Sequence, residues 1–457
     1  MNEHFNHNED APLRMVVTGT AGTGKSFLIA CLKQLLSSKV RVSAPTGVAA
    51  FNVQDCTLHS LLQLPTKGEF KDLQGESLTK LQQSLNGVTY FIIDEMSMVG
   101  RKLMGQVDRR LRQAFPSCAN QILGGRSCLL FGDFGQLPPV FDLPLFTTTQ
   151  SSNLSDLGRT AYQSFNKAVV LTRVMRQTGQ DPQQIRFRDI LLRLRDAKVT
   201  LDDWEELMTR TSTSVPNLEA YHEALHLYPT IDAVADHNLV KLQQNDHSIA
   251  VIKAVHSGHN AAKGTSDDAG GLEPVIHLAK NARVMLISNL WVEAGLVNGA
   301  MGTVKAICYS SGEPPALPTA VMVTFDSYSG PTLSDGTVPI VPIRRTWGQA
   351  CSRLQLPLKL AWAITIHKSQ GLTLNKAVIN IGKREFSTGL TFVACSRLRK
   401  ITDLVFHPGF DYQRLASLSN SSRLSERQAE DIRLHAIFNW SKVCSSVATY
   451  DRSTFHT

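Results

Sequence analysis

No uninterrupted apolar run in the 457 residues approaches the roughly 20 that a membrane span needs. Met1 to Asp10 is polar and acidic, unlike a secretory or mitochondrial leader. An intracellular, soluble protein is therefore expected, with no residue signal choosing nucleus, mitochondrion or another compartment. The 8 cysteines contain no C-x-x-C pair and follow no regular spacing, which argues against a zinc site and a disulfide framework and leaves them as reduced core residues. Charged residues make up only 19% against 42% hydrophobic, the balance of a globular chain and not a disordered one. A net charge of +8 and a pI near 9.0 point weakly to a polyanionic partner. The basic excess is scattered, so any basic track must be assembled by folding. A chain of 457 residues is too long for one ordinary core and predicts two or three domains.

What is present starts at Gly19. The run Gly19, Thr20, Ala21, Gly22, Thr23, Gly24, Lys25, Ser26 matches the phosphate-loop pattern G-x-x-x-x-G-K-[ST] at every fixed position. An apolar strand over Leu13–Thr18 precedes it, and Phe27, Leu28, Cys31, Leu32, Leu35 and Leu36 recur at helical spacing after it. The chemistry accounts for the residue types. Glycines let backbone N–H groups approach concentrated negative charge, and the following helix start adds a favourable dipole. Lys25 would reach the β and γ phosphates, and the Ser26 hydroxyl would hold a bridging magnesium ion.

Further polar groups follow at strand ends. Val40–Ala44 reads as a strand that turns through Pro45, Thr46 and Gly47 into a short helix, and Thr57-Leu-His-Ser60 repeats the theme with His59 inside it. A hydroxyl and free amides at a helix start can grip a phosphate, although each alone is commonly a cap. Residues 63–87 form a polar insertion with one helix expected over Leu78–Leu85. Val88–Ile93 then delivers Asp94 and Glu95 at a strand's carboxyl end, where parallel sheets place their ligands. Asp94 suits a magnesium ion through its water shell, and Glu95 suits orienting and deprotonating an attacking water. Ser127–Phe131 leads into Gly132-Asp-Phe-Gly-Gln-Leu-Pro-Pro-Val140, which sets the Gln136 amide where it can sense the γ phosphate. Leu103, Val107, Leu111 and Phe115 define a buried helical face, leaving Arg109, Arg110 and Arg112 to solvent.

The ordered set Gly19–Ser26, Ala44–Ala50, Thr57–Ser60, Ile92–Met98 and Gly132–Val140 resembles the petite-integration-frequency (PIF-one) helicases, superfamily-one DNA motors related to bacterial RecD. The phrases Asp-Glu-Met-Ser-Met and Gly-Asp-Phe-x-Gln-Leu-Pro-Pro-Val are most similar to the branch found with Helitron transposons. In the second half, Thr172–Gln177 resembles the family's fourth motif and Thr391–Arg399 its sixth, and Leu360–Leu374 is the strongest single match. The resemblance implies that Arg176 and Arg397 reach across to ATP. It also implies that Thr365, His367 and Ser369 line a nucleic-acid track together with Pro45, Thr46, Gly47, Thr57 and His59, while Gln370 and Gly371 couple that track to ATP. Hydroxyls and amides on phosphates bind without reading sequence.

Arg186–Lys198 is expected as a basic helix with Phe187, Ile190, Leu191 and Leu194 inward and its arginines solvated. Short strands at Arg283–Ile287, Gly302–Ile307, Ala320–Phe325 and Val338–Ile343, separated by glycine and proline turns, predict a small β barrel, and the family carries an SH3-like insertion there. Gly258–Gly271 is expected as a surface loop, and Ser425-Glu-Arg-Gln428 as the capping box of a helix reaching Trp440. Two departures stand out: Met1–Pro12 lacks the Leu-Asn-x-x-Gln element that reads adenine, and Ile122-Leu-Gly-Gly125 replaces an aromatic-Gly-Gly.

The expected architecture is α/β, with two RecA-like parallel-sheet lobes. The first covers 1–170; the second covers 171–281 and 357–410, interrupted by the β insertion at 282–356 and followed by a helical tail at 411–457. The expected activity is a magnesium- and ATP-dependent DNA helicase acting on single-stranded and duplex DNA as a monomer. Movement from 5′ to 3′ and roles in repair, recombination and telomere upkeep are implied by the resemblance alone. An RNA helicase of the same superfamily, or an ATP-gated DNA-binding scaffold of transposon origin, are the alternatives.

Overall fold

Runs rich in apolar residues become the strands of a first sheet, because a parallel strand covered on both faces leaves little room for exposed polar side chains. In the computed structural model, which describes residues 11–65, 68–310, 312–348, 350–385 and 389–453, with backbone alone at 419, 420 and 440–453, these are β1 (Arg14–Gly19), β2 (Val40–Ala44), β3 (Cys56–Thr57), β4 (Tyr90–Ile93), β5 (Ser127–Gly132) and β6 (Lys167–Leu171). They lie in the order β3-β2-β4-β5-β1-β6, all parallel. Residues of β4 and β5 are buried throughout. The order matters for chemistry: β4, β5 and β1 are neighbours, so the segments leaving their carboxyl ends emerge side by side. One face is covered by the Lys25–Leu36 helix, the other by the Arg101–Ala114 and Asn153–Gln163 helices.

A second parallel sheet contains Ala363–Thr365, Leu225–Tyr228, Ala377–Ile379 and Leu404–Phe406, in that order. Its core takes Phe187, Ile190, Leu191 and Leu194 from the Pro182–Arg195 helix, the four positions expected to face inward. Between its strands the chain forms an antiparallel five-stranded sheet of Val338–Ile340, Ala320–Phe325, Met301–Cys308, Arg283–Leu286 and Leu358–Leu360. A smaller antiparallel sheet joins Ile343–Trp347, Cys351–Gln355 and Val255–Ser257. Among the described residues no helix is long and apolar enough to cross a membrane.

Several local expectations are corrected. The single strand expected over Val338–Ile343 is split, and its second half turns away to pair with Cys351–Gln355. Gly258–Gly271 is not simply a surface loop, since Ala261 and Ala269 are buried, the latter in a small cluster with Leu272 and Ile287 beneath Ile343 and Trp347. Phe27 faces outward at 76% exposure, because the inward stripe of its helix is Ile29, Leu32 and Leu36. Cys128 and Cys395 are core residues as expected, but Cys31 and Cys308 are exposed. Arg110 is buried: Nε donates to the Leu62 carbonyl at 3.1 Å, Nη2 to that of Lys71 at 3.1 Å, and the guanidinium lies 4.6 Å from the Phe70 ring centre. The last helix begins at Ser422, so Ser425 lies inside it with its hydroxyl on the Ser422 carbonyl, and no capping box forms there. Met1–Asp10, where most of the adenine-reading element would fall, and Thr66 and Lys67 of the polar insertion lie outside the described residues.

Candidate nucleotide cleft

The loop after β1 wraps so that the Lys25 ammonium returns to the carbonyls of Gly19 (2.6 Å) and Thr20 (3.1 Å). Gly22 makes the wrap possible: its φ is +81°, and a Cβ there would stand 2.4 Å from the Arg176 Cβ. Ser26 starts the following helix with its side chain exposed toward the same space. Beside it, β4 ends in Asp94, which is 5% exposed, and in Glu95, held in the left-handed region at φ +53°. A non-glycine residue in that region is uncommon and concentrates at functional sites. The Glu95 N–H donates to Asp94 Oδ1 at 2.9 Å, which helps fix the turn. Gln136 arrives from the end of β5, 4% exposed and with its Oε1 lacking a protein donor among the described residues.

The second lobe closes the space. Arg176 Nη1 donates to the Ser396 carbonyl at 3.0 Å, and Gln177 Nε2 to that of Leu398 at 2.8 Å, tying the fourth-motif segment to the Leu390–Ser396 helix and its end. Arg397 is 1% exposed and folded on its own helix, with Nε on the Val393 carbonyl (2.9 Å) and Nη2 on Ser396 Oγ (2.8 Å). Gln370 Nε2 reaches across to Glu95 Oε2 at 3.1 Å and Ser97 Oγ at 3.3 Å, and Asn52 Nδ2 donates to the Gly371 carbonyl at 3.2 Å. Lys25, Asp94, Glu95, Gln136, Arg176, Gly371 and Arg397 thus border one cavity of about 240 Å³.

Charge, not size, marks this cavity; spaces of about 650 and 580 Å³ lie to either side of it. Burial depresses the Lys25 ammonium, opposed by Asp133, Glu95 and Asp94, and depresses Arg176 likewise. Burial and then the neighbouring Arg176 bring Arg397 down to about 9. Burial and Glu95 push the Asp94 carboxyl up to about 7. Three desolvated cations beside a carboxylate that burial keeps from ionising fully are matched by a polyanion carrying a cation.

The residues expected on a nucleic-acid track fall less uniformly. Thr46, Thr57 and Thr365 each cap a short helix, accepting from the N–H groups of Ala49, Ser60 and Lys368 at 3.3, 3.2 and 3.3 Å. Pro45, His59 and His367 are half-buried, while Gly47 is buried with no room for a Cβ beside Asn289 Oδ1. Ser369 is fully buried and its hydroxyl donates to the Ile366 carbonyl at 2.7 Å, so it faces the core and not a groove. Sequence reading missed Asn52, whose contact with Gly371 closes the cleft; a lone asparagine in a short helix carries no signal of it.

Two parallel-sheet lobes that bring a phosphate-loop sequence and an acidic strand end from one side, and Arg176 and Arg397 from the other, to one cavity have the architecture of two-lobed P-loop nucleotide-binding proteins. Residues 5–205 match the family described as PIF1-like helicase. The chain is 31% identical over 402 residues to human ATP-dependent DNA helicase PIF1, a match covering 85% of this chain and 57% of that protein. The Pif1 helicase of Candida albicans superposes with TM-score 0.71 at 26% identity, over 94% of this chain and 97% of that one. A Bacteroides Pif1 in complex with ADP-AlF3 and ssDNA gives TM-score 0.68 at 26% identity, over 90% of this chain and 92% of that one. Over residues 5–205 the chain belongs to the PIF1-like helicase family, and the remainder follows the fold of Pif1 helicases. The chain spans less than two thirds of the length of the human relative.

Proposed function

We propose that this chain is an ATP-driven DNA helicase that moves along single-stranded DNA from 5′ to 3′ and separates duplex. The observation that carries the reading is the meeting of Lys25, Asp94, Glu95 and Gln136 from one lobe with Arg176 and Arg397 from the other around one small, cation-rich cavity. Lys25 and the amides of Gly19–Ser26 bind the phosphates, Glu95 orients and deprotonates the attacking water, and Gln136 senses whether the terminal phosphate is present. Arg176 and Arg397 neutralise charge developing on the transferred phosphoryl group, a contribution of about 10³ to 10⁵ in rate in related enzymes.

A magnesium ion fits the donor set: an exposed Ser26 hydroxyl next to a buried Asp94 carboxyl, with the remaining ligands left to phosphates and water. When bound, it would supply charge neutralisation to the phosphates. Among the described residues no cluster of three or more His, Cys, Asp or Glu offers an all-protein metal cage. Thr46, Thr57, His59, Thr365 and His367, with Pro45 and Gly47, form the strand-gripping surface, and Ser369 supports it from below. Because the phosphate contacts are split between lobes, hydrolysis and release let the cleft open, which shifts one grip relative to the other. The antiparallel strands within 282–356 act as an inserted unit over the second lobe, and the protein acts on DNA as a monomer. Strand displacement of a 5′-tailed duplex with ATP and magnesium tests the reading; the parent unwinds and Lys25→Ala does not. Unwinding by Lys25→Ala at the parental rate would sink it.

A further inference from the structure

The loop that carries Gln136 is held from three directions by charged groups. Asp133, wholly buried, accepts at Oδ1 from the Gly135 N–H (2.9 Å) and from Arg195 Nε (2.9 Å) and Nη2 (2.7 Å). Arg195 was expected in solvent. It instead ends the Pro182–Arg195 helix of the second lobe and points across to the first. Its own position is set by the last helix: Asp431 Oδ2 lies 3.1 Å from Nη2, while Arg427 Nη2 donates to the Arg195 carbonyl at 2.9 Å and to Asp196 Oδ1 at 3.2 Å. Arg427 is 2% exposed and lies 3.5 Å from Asp431 through Nη1. Tyr162 donates to Glu430, and Leu434 enters the first lobe's core, so the helix also grips that lobe.

Gly135 records how closely these groups press on the loop. A Cβ there would lie 2.4 Å from Arg195 Nε and 2.8 Å from Arg427 Nη1, so the two guanidiniums fill the volume that any side chain would need. The next residue is Gln136, whose side chain borders both the nucleotide cleft and the neighbouring 580 Å³ cavity that Arg427 also lines. A forked donor bonding one buried carboxylate oxygen twice fixes direction as well as distance, which a lysine cannot reproduce.

We propose that Arg195 and Arg427, with Asp431, are positioning residues that seat Gln136 against the terminal phosphate, making the last helix part of the phosphate-sensing apparatus. The inference rests on the nucleotide reading above. Asp133 belongs to the first lobe and Arg195 to the second, so the seat is complete only in the closed arrangement; parting the lobes pulls Arg195 from Asp133 and frees the loop. The last helix, anchored to both, sets how far that parting goes.

The test uses the full chain with Arg427→Met and Asp431→Asn, measuring affinity for ADP, affinity for ADP with aluminium fluoride as a mimic of the transferring phosphoryl group, and kcat and KM for ATP. A misplacement on the order of 1 Å at a reacting centre costs up to about 100-fold, so each variant is expected to lose at least about tenfold in kcat and in affinity for the mimic. ADP affinity stays within about twofold, since ADP lacks the terminal phosphate, whereas KM for ATP is free to rise with loss of that contact. Arg427→Lys recovers only part of the loss. Asp431→Asn preserves shape and carries the test if Arg427→Met lowers Tm below the assay temperature. Parental affinity for the mimic in both variants, or equal loss of ADP and mimic as general loosening would give, overturns the proposal. A parent chain that binds neither ligand instead ends the nucleotide reading, and this proposal with it.

Discussion

Gln370 of the second lobe donates its Nε2 to Glu95 Oε2 of the first at 3.1 Å, although 275 positions separate them in the chain. The acceptor is the carboxylate best placed to activate water, and the donor sits one residue beyond the short helix that Thr365 caps. On the proposed reading, a group beside the strand-gripping surface thus touches the proposed catalytic base without an intermediary. Gln370 is 6% exposed, so the contact is shielded from water, and its Oε1 has no donor among the described residues.

On the proposed reading, removing that contact is expected to uncouple DNA binding from hydrolysis. Gln370→Ala is expected to lower the DNA-stimulated kcat by about 10- to 100-fold, within the range for a group that orients a catalytic base, with a smaller change in the rate measured without DNA. Steady-state hydrolysis with and without single-stranded DNA checks this, and equal losses in the two conditions would contradict it.

Gly22→Ala probes the phosphate loop without touching a charge. The left-handed backbone alone disfavours alanine by about 1 kcal/mol, and the new methyl would meet the Arg176 Cβ at 2.4 Å. ADP affinity measured by titration should fall clearly, with Lys25 and Ser26 intact. Parental affinity would mean that the loop and Arg176 are not packed as described.

Acid sensitivity should trace to the second sheet. His226 and His237 lie with ring centres 4.0 Å apart and planes tilted by 31°, and Tyr228 Oη lies 3.0 Å from His237 Nδ1. Burial, and then the charges of His237, Lys241 and His407, bring His226 down to about 3. Its folded form is therefore neutral where the unfolded chain takes up a proton, so the stabilisation is present above about pH 6.5 and is lost as pH falls below it. One such proton costs about 1.4 kcal/mol per pH unit. Denaturant unfolding between pH 7 and pH 4.5 should show a shallower decline for His226→Phe than for the parent; identical slopes would contradict the assignment.

What the sequence made legible follows from how each feature is encoded. Val40–Ala44 and Ala320–Phe325 were readable to the residue because short runs rich in β-branched and apolar residues, bounded by turn residues, mark strands. The cleft was readable because phosphate chemistry restricts residue types at fixed spacing, and Lys25, Asp94, Glu95, Gln136, Arg176 and Arg397 do converge. Arg110 and Arg195 were not, since an arginine on a helix looks solvated until its acceptors are known, and those of Arg110 include carbonyls 39 and 48 positions away. Ser369 shows the limit of a motif: spacing places the residue, while the turn of a four-residue helix decides that its hydroxyl faces the core.

The account depends most on the two lobes acting on one phosphate. The direct measurement is single-turnover ATP hydrolysis by Arg397→Ala at saturating ATP and single-stranded DNA. The predicted result is a rate lower by about 10³ or more with ADP affinity near that of the parent, and no recovery in Arg397→Lys. Hydrolysis by Arg397→Ala at the parental rate would show that the second lobe contributes nothing to the reacting phosphate and would contradict the account.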